Sequence, residues 1–310
     1  MMKADIIKRI PRRLIRRELT EDKLICRTNH GGNIIYRVNN FDSPKTMLEI
    51  GRLREIAFRN AGGGTGQAVD IDEFDICNPP FEQLLVWNPL AREIMSSYRY
   101  ILGNNIRIDA NNSVQSPVGE LFEFSDKFIK DYLPKSIELG RSFVQPKYQA
   151  SRKGLFALDN MWDGLGALLC MYPEIEYFYG KMTMYKSYNK LARDLVLFFL
   201  QKHFSPQDNL IQPIKPLKLY HKEQLLASIL TADKFDEDYK ILIRETSNLQ
   251  CKIPPLVNIY MGLSPNLSAV RIDNEEFGDV EESTILVCIK DIYPIKKERH
   301  INCFKQQHNQ

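Results

Sequence analysis

The chain of 310 residues predicts an α/β (α+β) fold, a mixed central sheet flanked by helices, with a helical insertion before the last strands. Three stretches predict it. Residues 137–203 run strand, basic glycine-containing turn, helix, strand, helix, an order that suits a parallel strand pair joined by a right-handed crossover. Residues 83–87 and 93–102 read as an antiparallel pair, with Asn88-Pro89 opening the turn. Residues 221–250 are charged and mostly helical, and precede two late strands at 269–273 and 284–290.

Each element has its own signal. Residues 5–17 set Ile6, Ile7, Ile10 and Leu14 among basic side chains, which predicts either a short basic amphipathic helix kinked at Pro11 or a solvated, flexible start. Residues 34–38 form a strand. Ser43 and Pro44 open a helix as N-cap and first helical residue, and Met47, Ile50, Leu53, Ile56 and Ala57 follow at helical spacing. The glycine-rich run 61–66 lacks the preceding strand and the Lys-Ser/Thr of a phosphate-binding loop, and is expected to be a mobile substrate-side loop or a plain linker. Residues 137–144 are a strand, 149–154 a polar turn, 155–171 a helix and 176–184 a strand rich in aromatics. A helix over 188–203 carries Leu191, Leu195, Phe198 and Phe199 on one face, and Ile253-Pro254-Pro255-Leu256 opens another. The expected organisation is a basic N-terminal extension (1–32), a single domain (33–293, helical insertion at 206–262) and a polar, frayed tail (294–310).

Composition excludes several classes. At 44% hydrophobic and 26% charged residues the chain is globular rather than disordered. A net charge of +3 selects no partner, and no nucleic acid is expected. The basic residues are unevenly spread: Lys3, Lys8, Arg9, Arg12, Arg13, Arg16 and Arg17 stand against Asp5 alone in residues 1–17. No run approaches the ~20 apolar residues of a membrane-spanning helix, and no secretory signal is evident, so a cytoplasmic location is expected. The cysteines lack a CxxC pair and the histidines an HxxxH pair, so neither a disulfide framework nor a metal site is expected. The acidic run 70–75 lacks the glycine and distal glutamate of a calcium loop.

The chemistry concentrates on the strand IELGRSFV at 137–144. It carries Glu138 and Arg141, and an unmatched partner of a buried ion pair costs about 3–5 kcal/mol. Both charges should therefore be matched to each other, to other charges or to a substrate. Strict alternation puts them on opposite faces, and a bulge near Gly140 would bring them closer. Otherwise Arg141 is expected to pair with Asp70 or Asp72, and Arg99 with Glu138. For Arg54, Asp75 and Arg99, a network that only holds the acidic loop in place is as good a reading as contact with substrate.

The segments LREIAFR (53–59), DIDEFD (70–75), YRY (98–100), ELGRS (138–142), WDG (162–164) and IPPL (253–256) occur in an order that resembles the GNAT acyltransferase superfamily. The closer resemblance is to bacterial N-acyl amino acid synthases, which begin ornithine-lipid and glycine-lipid synthesis, are often labelled hemolysins, and are akin to acyl-homoserine-lactone synthases. It runs from about residue 33 to 293, and RNAGGGTG at 59–66 looks most like the glycine-lipid branch. The resemblance implies a GNAT-like sheet and transfer of a 3-hydroxy fatty acyl group to a small amino acid, glycine or alternatively ornithine. The usual coenzyme A loop of the superfamily, Gln/Arg-x-x-Gly-x-Gly/Ala, is reduced to a single glycine in residues 149–154. This favours acyl carrier protein as donor, with no tightly bound cofactor beyond a phosphopantetheine-borne thioester. Arg152, Lys153 and Gly154 at a helix N-terminus would then hold the single phosphate of that arm. The expected partners are acyl carrier protein, the amino acid and, for residues 3–17, either an anionic membrane surface or the carrier.

An amine attacking a thioester needs a base, oxyanion donors and a proton for the thiolate, and general-base help is worth about 10²–10⁴ in rate. Glu138 is the candidate base, and Arg141 is placed with it in the catalytic set. Backbone N–H groups around Phe143 and Val144 are candidate oxyanion donors. Tyr188, or Tyr185, is the candidate acid, with a plain core role as the alternative. Arg54, Asp70, Asp72, Asp75 and Arg99, with Phe143, Val144, Arg152, Lys153 and Gly154, are the candidate substrate-binding residues. A non-enzymatic membrane-binding protein and an acetyl-CoA acetyltransferase are the competing classes.

Overall fold

The computed structural model describes residues 3–149, 152–204, 208–264, 267–274 and 277–302. In chain order the elements are α1 (Arg12–Glu18), β1 (Leu24–Arg27), β2 (Ile34–Val38), α2 (Pro44–Ala61), α3 (Glu73–Ile76), β3 (Glu82–Asn88), β4 (Glu93–Leu102), β5 (Arg107–Ile108), β6 (Val114–Gln115), β7 (Phe122–Phe124), β8 (Ser136–Val144), α4 (Pro146–Gln149), α5 (Arg152–Met171), β9 (Tyr177–Met184), α6 (Lys190–His203), β10 (Ile211–Pro213), α7 (Glu223–Ile229), α8 (Phe235–Asn248), α9 (Pro255–Met261), β11 (Leu267–Asn274), β12 (Val280–Cys288) and α10 (Pro294–Lys297). The fold is mixed α/β, and the chain divides into two compact units. The first holds Met1–Arg107, Leu133–Glu176 and Tyr293–Gln310, and the second Ile108–Tyr132 and Tyr177–Ile292.

In the first unit β1, β2, β3, β4 and β8 pair antiparallel in that order. Alternation sends Gln83 and Arg99 to the face that carries α2, where Arg54 meets Gln83. Leu84, Ile35 and Ser96 point to α5 on the other face. There Gly164 lies against Leu84 and Ile35, and the Ser96 hydroxyl donates to the Ala157 carbonyl at 3.1 Å. Ile35, Val38, Met47, Ile50, Leu84, Leu85 and Val86 are fully buried between these layers; each such side chain is worth about 1.5–3 kcal/mol.

Three local expectations are corrected. Ser43 and Pro44 stand at the N-cap and first helical positions of α2 as expected, but the expected capping bond from the Ser43 side chain is not made, and its hydroxyl accepts from Lys23 Nζ at 2.9 Å. The side-chain acceptor for the first turn is the Glu18 carboxylate of α1, which accepts from Lys45 N–H at 3.0 Å and Thr46 N–H at 2.7 Å. Pro11 likewise does not kink a helix. It stands just before α1, and the chain before it is neither helical nor loose: Ala4 N–H donates to Gly66 O, Ile7 N–H to Ala68 O and Ile10 N–H to Glu49. The glycine-rich loop is closed rather than mobile. The Glu55 carboxylate, fully buried on α2, accepts from Thr65 N–H (3.0 Å), Thr65 Oγ1 (2.8 Å), Gly66 N–H (2.7 Å) and Arg59 Nε (2.6 Å). Donors that a phosphate-binding loop would offer to a ligand are spent on that side chain.

The tail expected to be frayed is tied down over its described residues, 294–302, and the rest of that expectation lies outside the described residues. Arg299 bonds Asp159 at 2.8 Å and His300 Nδ1 bonds Asp163 at 2.9 Å, so this segment is tied to α5. Gly166 permits the approach, because a Cβ there would lie 2.1 Å from the His300 carbonyl oxygen. Asp163, from the WDG segment, also accepts from Asn29 N–H and from the Asn29 and Asn160 amides.

In the second unit β9, β12 and β11 pair antiparallel, and β7 pairs with β10. The last strand is Val280–Cys288, earlier than the expected 284–290. Its start is polar, which hid the strand signal, and the charges are matched by neighbours. Glu281 accepts from Arg193 of α6 at 2.6 Å, and Glu282 pairs with Lys181 of β9 at 3.0 Å.

Candidate active site

The charged strand is β8, and it is bulged. Ser97 pairs with Phe143 and Arg99 with Gly140, so Arg141 and Ser142 together face Tyr98. Arg141 carries the turn at φ 49, a left-handed conformation that costs a residue with a side chain about 1–2 kcal/mol. The bulge swings the guanidinium to the acidic segment. Arg141 Nη2 donates to Asp72 at 3.3 Å, and Nε lies 3.3 Å from Asp70.

Behind this contact the network continues inward. Asp72 caps α3 through the N–H groups of Phe74 and Asp75, and Asp75 accepts in return from Asp72 N–H. Arg99 of β4 pairs with Asp72 at 2.5 Å and Asp75 at 3.3 Å, and its guanidinium lies against the rings of both Phe74 and Phe81. Arg54 of α2 donates to Asp75 at 2.8 Å and to Gln83 at 2.6 Å, and Gln83 donates to Asp75 at 3.1 Å. The acidic segment can lie this close because of Gly51: a Cβ there would stand 2.7–2.9 Å from Val69, Ile71 and the Asp70 carbonyl oxygen.

Solvent access grades along the network. The side chains of Arg54 and Asp75 are 0% exposed, whereas Arg141 is 17% and Asp72 18% exposed. The inner end therefore builds the fold, and the Arg141–Asp72 end is the part a small solute can reach. Burial pushes the Asp72 pKa up, but Arg99 and Arg141 outweigh it and hold the carboxyl well below the usual range. Burial alone would weaken the Arg99 cation, and Asp72 and Asp75 instead raise its pKa. Asp70 is different: burial dominates and raises its pKa despite Arg141 and Arg54. Both of its carboxylate oxygens are buried without a hydrogen-bond partner among the described residues.

Arg54, Asp70, Asp72, Asp75, Arg99 and Arg141 thus form one connected group. Arg141 pairs with both acids expected for it, and Arg99 has Asp72 and Asp75 as partners where Glu138 was expected. Glu138 is buried on β8 opposite Ile101, on the same sheet face as Arg99. Phe143 and Val144 follow the bulge at the end of β8. Gly154 lies in the first turn of α5, where a Cβ would meet the Tyr148 carbonyl oxygen at 2.2 Å. The side chains of Arg152 and Lys153 lie outside the described residues. Tyr188 and Tyr185 belong to the second unit. The Tyr188 hydroxyl donates to the Lys252 carbonyl at 2.8 Å, and burial raises its pKa. Burial and Glu282 push Tyr185 up to about 12.

Sequence reasoning missed Gln83, Gly51 and Ser97. Ser97 is fully buried beside the bulge, its hydroxyl without a hydrogen-bond partner among the described residues. The available signal was a polar pair, Ser96-Ser97, in the middle of a strand whose charged residues are Glu93 at its start and Arg99. Among the described residues no group of three or more His, Cys, Asp or Glu is placed to hold a metal ion, and no helix is long and apolar enough to cross a membrane.

Residues 53–158, which span the network and the bulge, match a family model described as an acetyltransferase (GNAT) domain. A glycine N(alpha)-acyltransferase of Phocaeicola vulgatus is 50% identical over 308 residues, 98% of this chain and 94% of that protein. The chain belongs to the glycine N(alpha)-acyltransferase family of the GNAT superfamily. A relative of the same description from Bacteroides thetaiotaomicron is also 50% identical over 308 residues, 98% of this chain and 91% of that protein. Among solved structures, the CoA-dependent acyl-homoserine lactone synthase MesI has a TM-score of 0.35 and 11% identity, over 87% of this chain and 95% of its own. A second, BjaI with SAM and isopentyl-CoA, has a TM-score of 0.31 and 14% identity, over 53% of this chain and 72% of its own. As a member of this family the chain is an acyltransferase, which sets aside the non-enzymatic membrane-binding expectation.

Proposed function

We propose that this acyltransferase moves a 3-hydroxy fatty acyl group from acyl carrier protein to the amine of glycine, the first step of an amino-acid lipid pathway. Residues 33–293 act as one catalytic domain in this reading, and the setting is the cytoplasm. The observation that carries it is the half-open end of the ion network, Arg141 against Asp72, on the strand that also bears Glu138. That end offers a cation for a carboxylate and a carboxylate for an ammonium, the two poles of a free amino acid. The description of the relatives supports glycine over ornithine.

Arg141 receives the glycine carboxylate and Asp72 the ammonium, with Asp70, Arg54, Asp75 and Arg99 behind them. Glu138 takes one proton from the ammonium, directly or through water. The freed lone pair attacks the thioester carbonyl carbon; a C–N bond forms and the oxygen becomes an oxyanion. The bulge takes backbone out of the β4–β8 ladder, and N–H groups there, beside Phe143 and Val144, donate to the oxyanion. Collapse breaks the C–S bond. The nitrogen loses its second proton to water, and the departing thiolate takes one from solvent. Arg152, Lys153 and Gly154 at the start of α5 hold the phosphate of the pantetheine arm. The co-substrate is the phosphopantetheine-borne thioester, and no resident cofactor takes part.

The test is mass spectrometry of products from purified protein, a 3-hydroxyacyl carrier protein and an amino-acid mixture. N-acyl glycine should dominate. An ornithine product would move the acceptor, and folded protein that makes no product would overturn the reading.

A further inference from the structure

We propose that the arginine face of α1, with Arg9 and Lys147 beside it, is the docking surface for the acidic carrier protein that delivers the thioester; this rests on the donor proposed above. The surface is organised by a carboxylate that the acyl-transfer chemistry does not use. Glu93, at the start of β4, is only 2% exposed. It accepts from Arg9 Nη2 at 3.2 Å and Arg12 Nη2 at 3.1 Å, and also bonds Lys147 Nζ and the Tyr148 hydroxyl of α4. One buried negative charge thus gathers cations from two distant parts of the chain and leaves a surplus of positive charge. The gathered cations still face water, with side-chain exposures of 44% for Arg9, 48% for Arg12 and 48% for Lys147.

The same helix extends the patch. Arg12, Arg13, Arg16 and Arg17 fall on one side of α1 by helical period, and all are exposed. Arg13, Arg16 and Arg17 pair with no carboxylate among the described residues. The opposite side holds α1 in place: Ile15 is buried, and Glu18 bonds the first turn of α2. At the tip of the β3–β4 turn, Leu90 is 94% exposed, three residues before Glu93, and supplies one apolar contact. The surface borders the proposed chemistry, since Lys147 follows Val144 by three residues and the proposed phosphate site begins five residues later.

A fixed cation pattern matters to a partner with fixed acidic groups, whose encounter it steers and whose orientation it sets. A membrane surface asks for less geometry and more apolar area. The outward side of α1 carries no apolar residue, and Ile6, Ile7, Ile10 and Leu14 are half-buried rather than presented to solvent. An acidic protein is therefore the occupant these residues fit.

The experiment compares the wild type with a triple variant, Arg13→Glu, Arg16→Glu and Arg17→Glu, which leaves the Glu93 cluster intact. Kinetics are measured with 3-hydroxyacyl carrier protein and with 3-hydroxyacyl pantetheine, which lacks the protein. The expected result is a KM for the carrier-borne donor raised roughly tenfold or more, with kcat and the KM for acyl pantetheine unchanged. A carrier whose acidic residues are reversed to lysine should restore the variant. Equal effects on both donors, or none on the carrier-borne one, would overturn the proposal. So would loss of co-sedimentation with phosphatidylglycerol vesicles while carrier kinetics stay normal. If the wild type uses neither thioester, the proposed reaction fails, and titration of holo-carrier against the two proteins still decides the surface. Weaker binding by the variant supports it, and equal binding overturns it.

Discussion

Arg54 and Arg141 stand at opposite ends of one ion network, and the same substitution should separate their roles. Arg54→Met removes a cation that is 0% exposed and bonded to Asp75 and Gln83. Asp75 keeps Gln83 at 3.1 Å, Asp72 N–H at 3.2 Å and Arg99 at 3.3 Å, so its charge stays partly matched. Breaking a buried pair costs about 3–5 kcal/mol, and the surviving partners place this case near the lower figure. Arg141→Met acts at the end of the network that meets water, with Arg141 and Asp72 at 17% and 18% exposure; it also takes the nearest cation from the fully buried Asp70, whose raised pKa lets it protonate instead, so the loss is about 1–2 kcal/mol. At about 2–4 °C per kcal/mol, the melting temperature should fall on the order of 10 °C for Arg54→Met and a few degrees for Arg141→Met. Activity should show the reverse order. A hydrogen bond to a charged group is worth about 1.5–3 kcal/mol, so Arg141→Met should raise the KM for glycine roughly tenfold or more. Arg54→Met, assayed below its melting temperature, should change it little. Melting curves and N-acylation kinetics with varied glycine make the measurement. An Arg141→Met enzyme with the wild-type KM, or an Arg54→Met protein that melts like the wild type, would refute this division of the network.

Other expectations follow from the same geometry. Glu138→Gln should cut turnover by about 10²–10³ without a matching loss of thermal stability, and single-turnover rates would expose a residue that is only structural. Gly51→Ala should cost about 1–3 kcal/mol and lower activity, because its Cβ would press on the Asp70 backbone and displace the acidic segment; unchanged melting and turnover would show that the segment tolerates the shift. Asp72 should make the fold acid-resistant until low pH. Its folded pKa is depressed, so the stability it contributes is complete above the unfolded aspartate value of about 3.9 and disappears as pH falls through the lower folded value. Asp70 has the opposite sign. Its raised pKa costs stability above the unfolded value, and that cost vanishes on protonation. In acid titrations Asp70→Asn should therefore remove a destabilising contribution and Asp72→Asn a stabilising one, while both reduce activity.

Much of this was legible without coordinates because it is local or periodic. Pro44 and the apolar spacing that follows it marked α2, and the Asn88-Pro89 turn marked the β3–β4 pair. The paired charges of β8 announced a matched network, since a strand cannot bury Glu138 and Arg141 without partners. Other features depended on meetings across long stretches of chain. Glu18 supplied the side-chain acceptor for the first turn of α2 while Ser43 kept the N-cap position, and Glu55 took the donors of the glycine-rich loop, because a carboxylate is the stronger acceptor and packing put it within reach. The polar start of β12 looked unlike a strand until Arg193 and Lys181 matched its two glutamates.

The sequence by itself determined most element types and the demand that the charges on β8 be matched, since propensity, period and ion-pair cost are properties of neighbouring residues, and the order of six segments carried the family resemblance. Tertiary structure alone decided which charges meet. It set Arg141 at φ 49 in a bulge, turned toward Asp70 and Asp72 rather than along its own strand, and it docked the basic N-terminal segment on Glu93 and Glu49. The physical reason is the same in each case. A side chain's partner depends on the register of strands and the approach of helices, and those are fixed by burying apolar area over the whole unit rather than by the residues beside it.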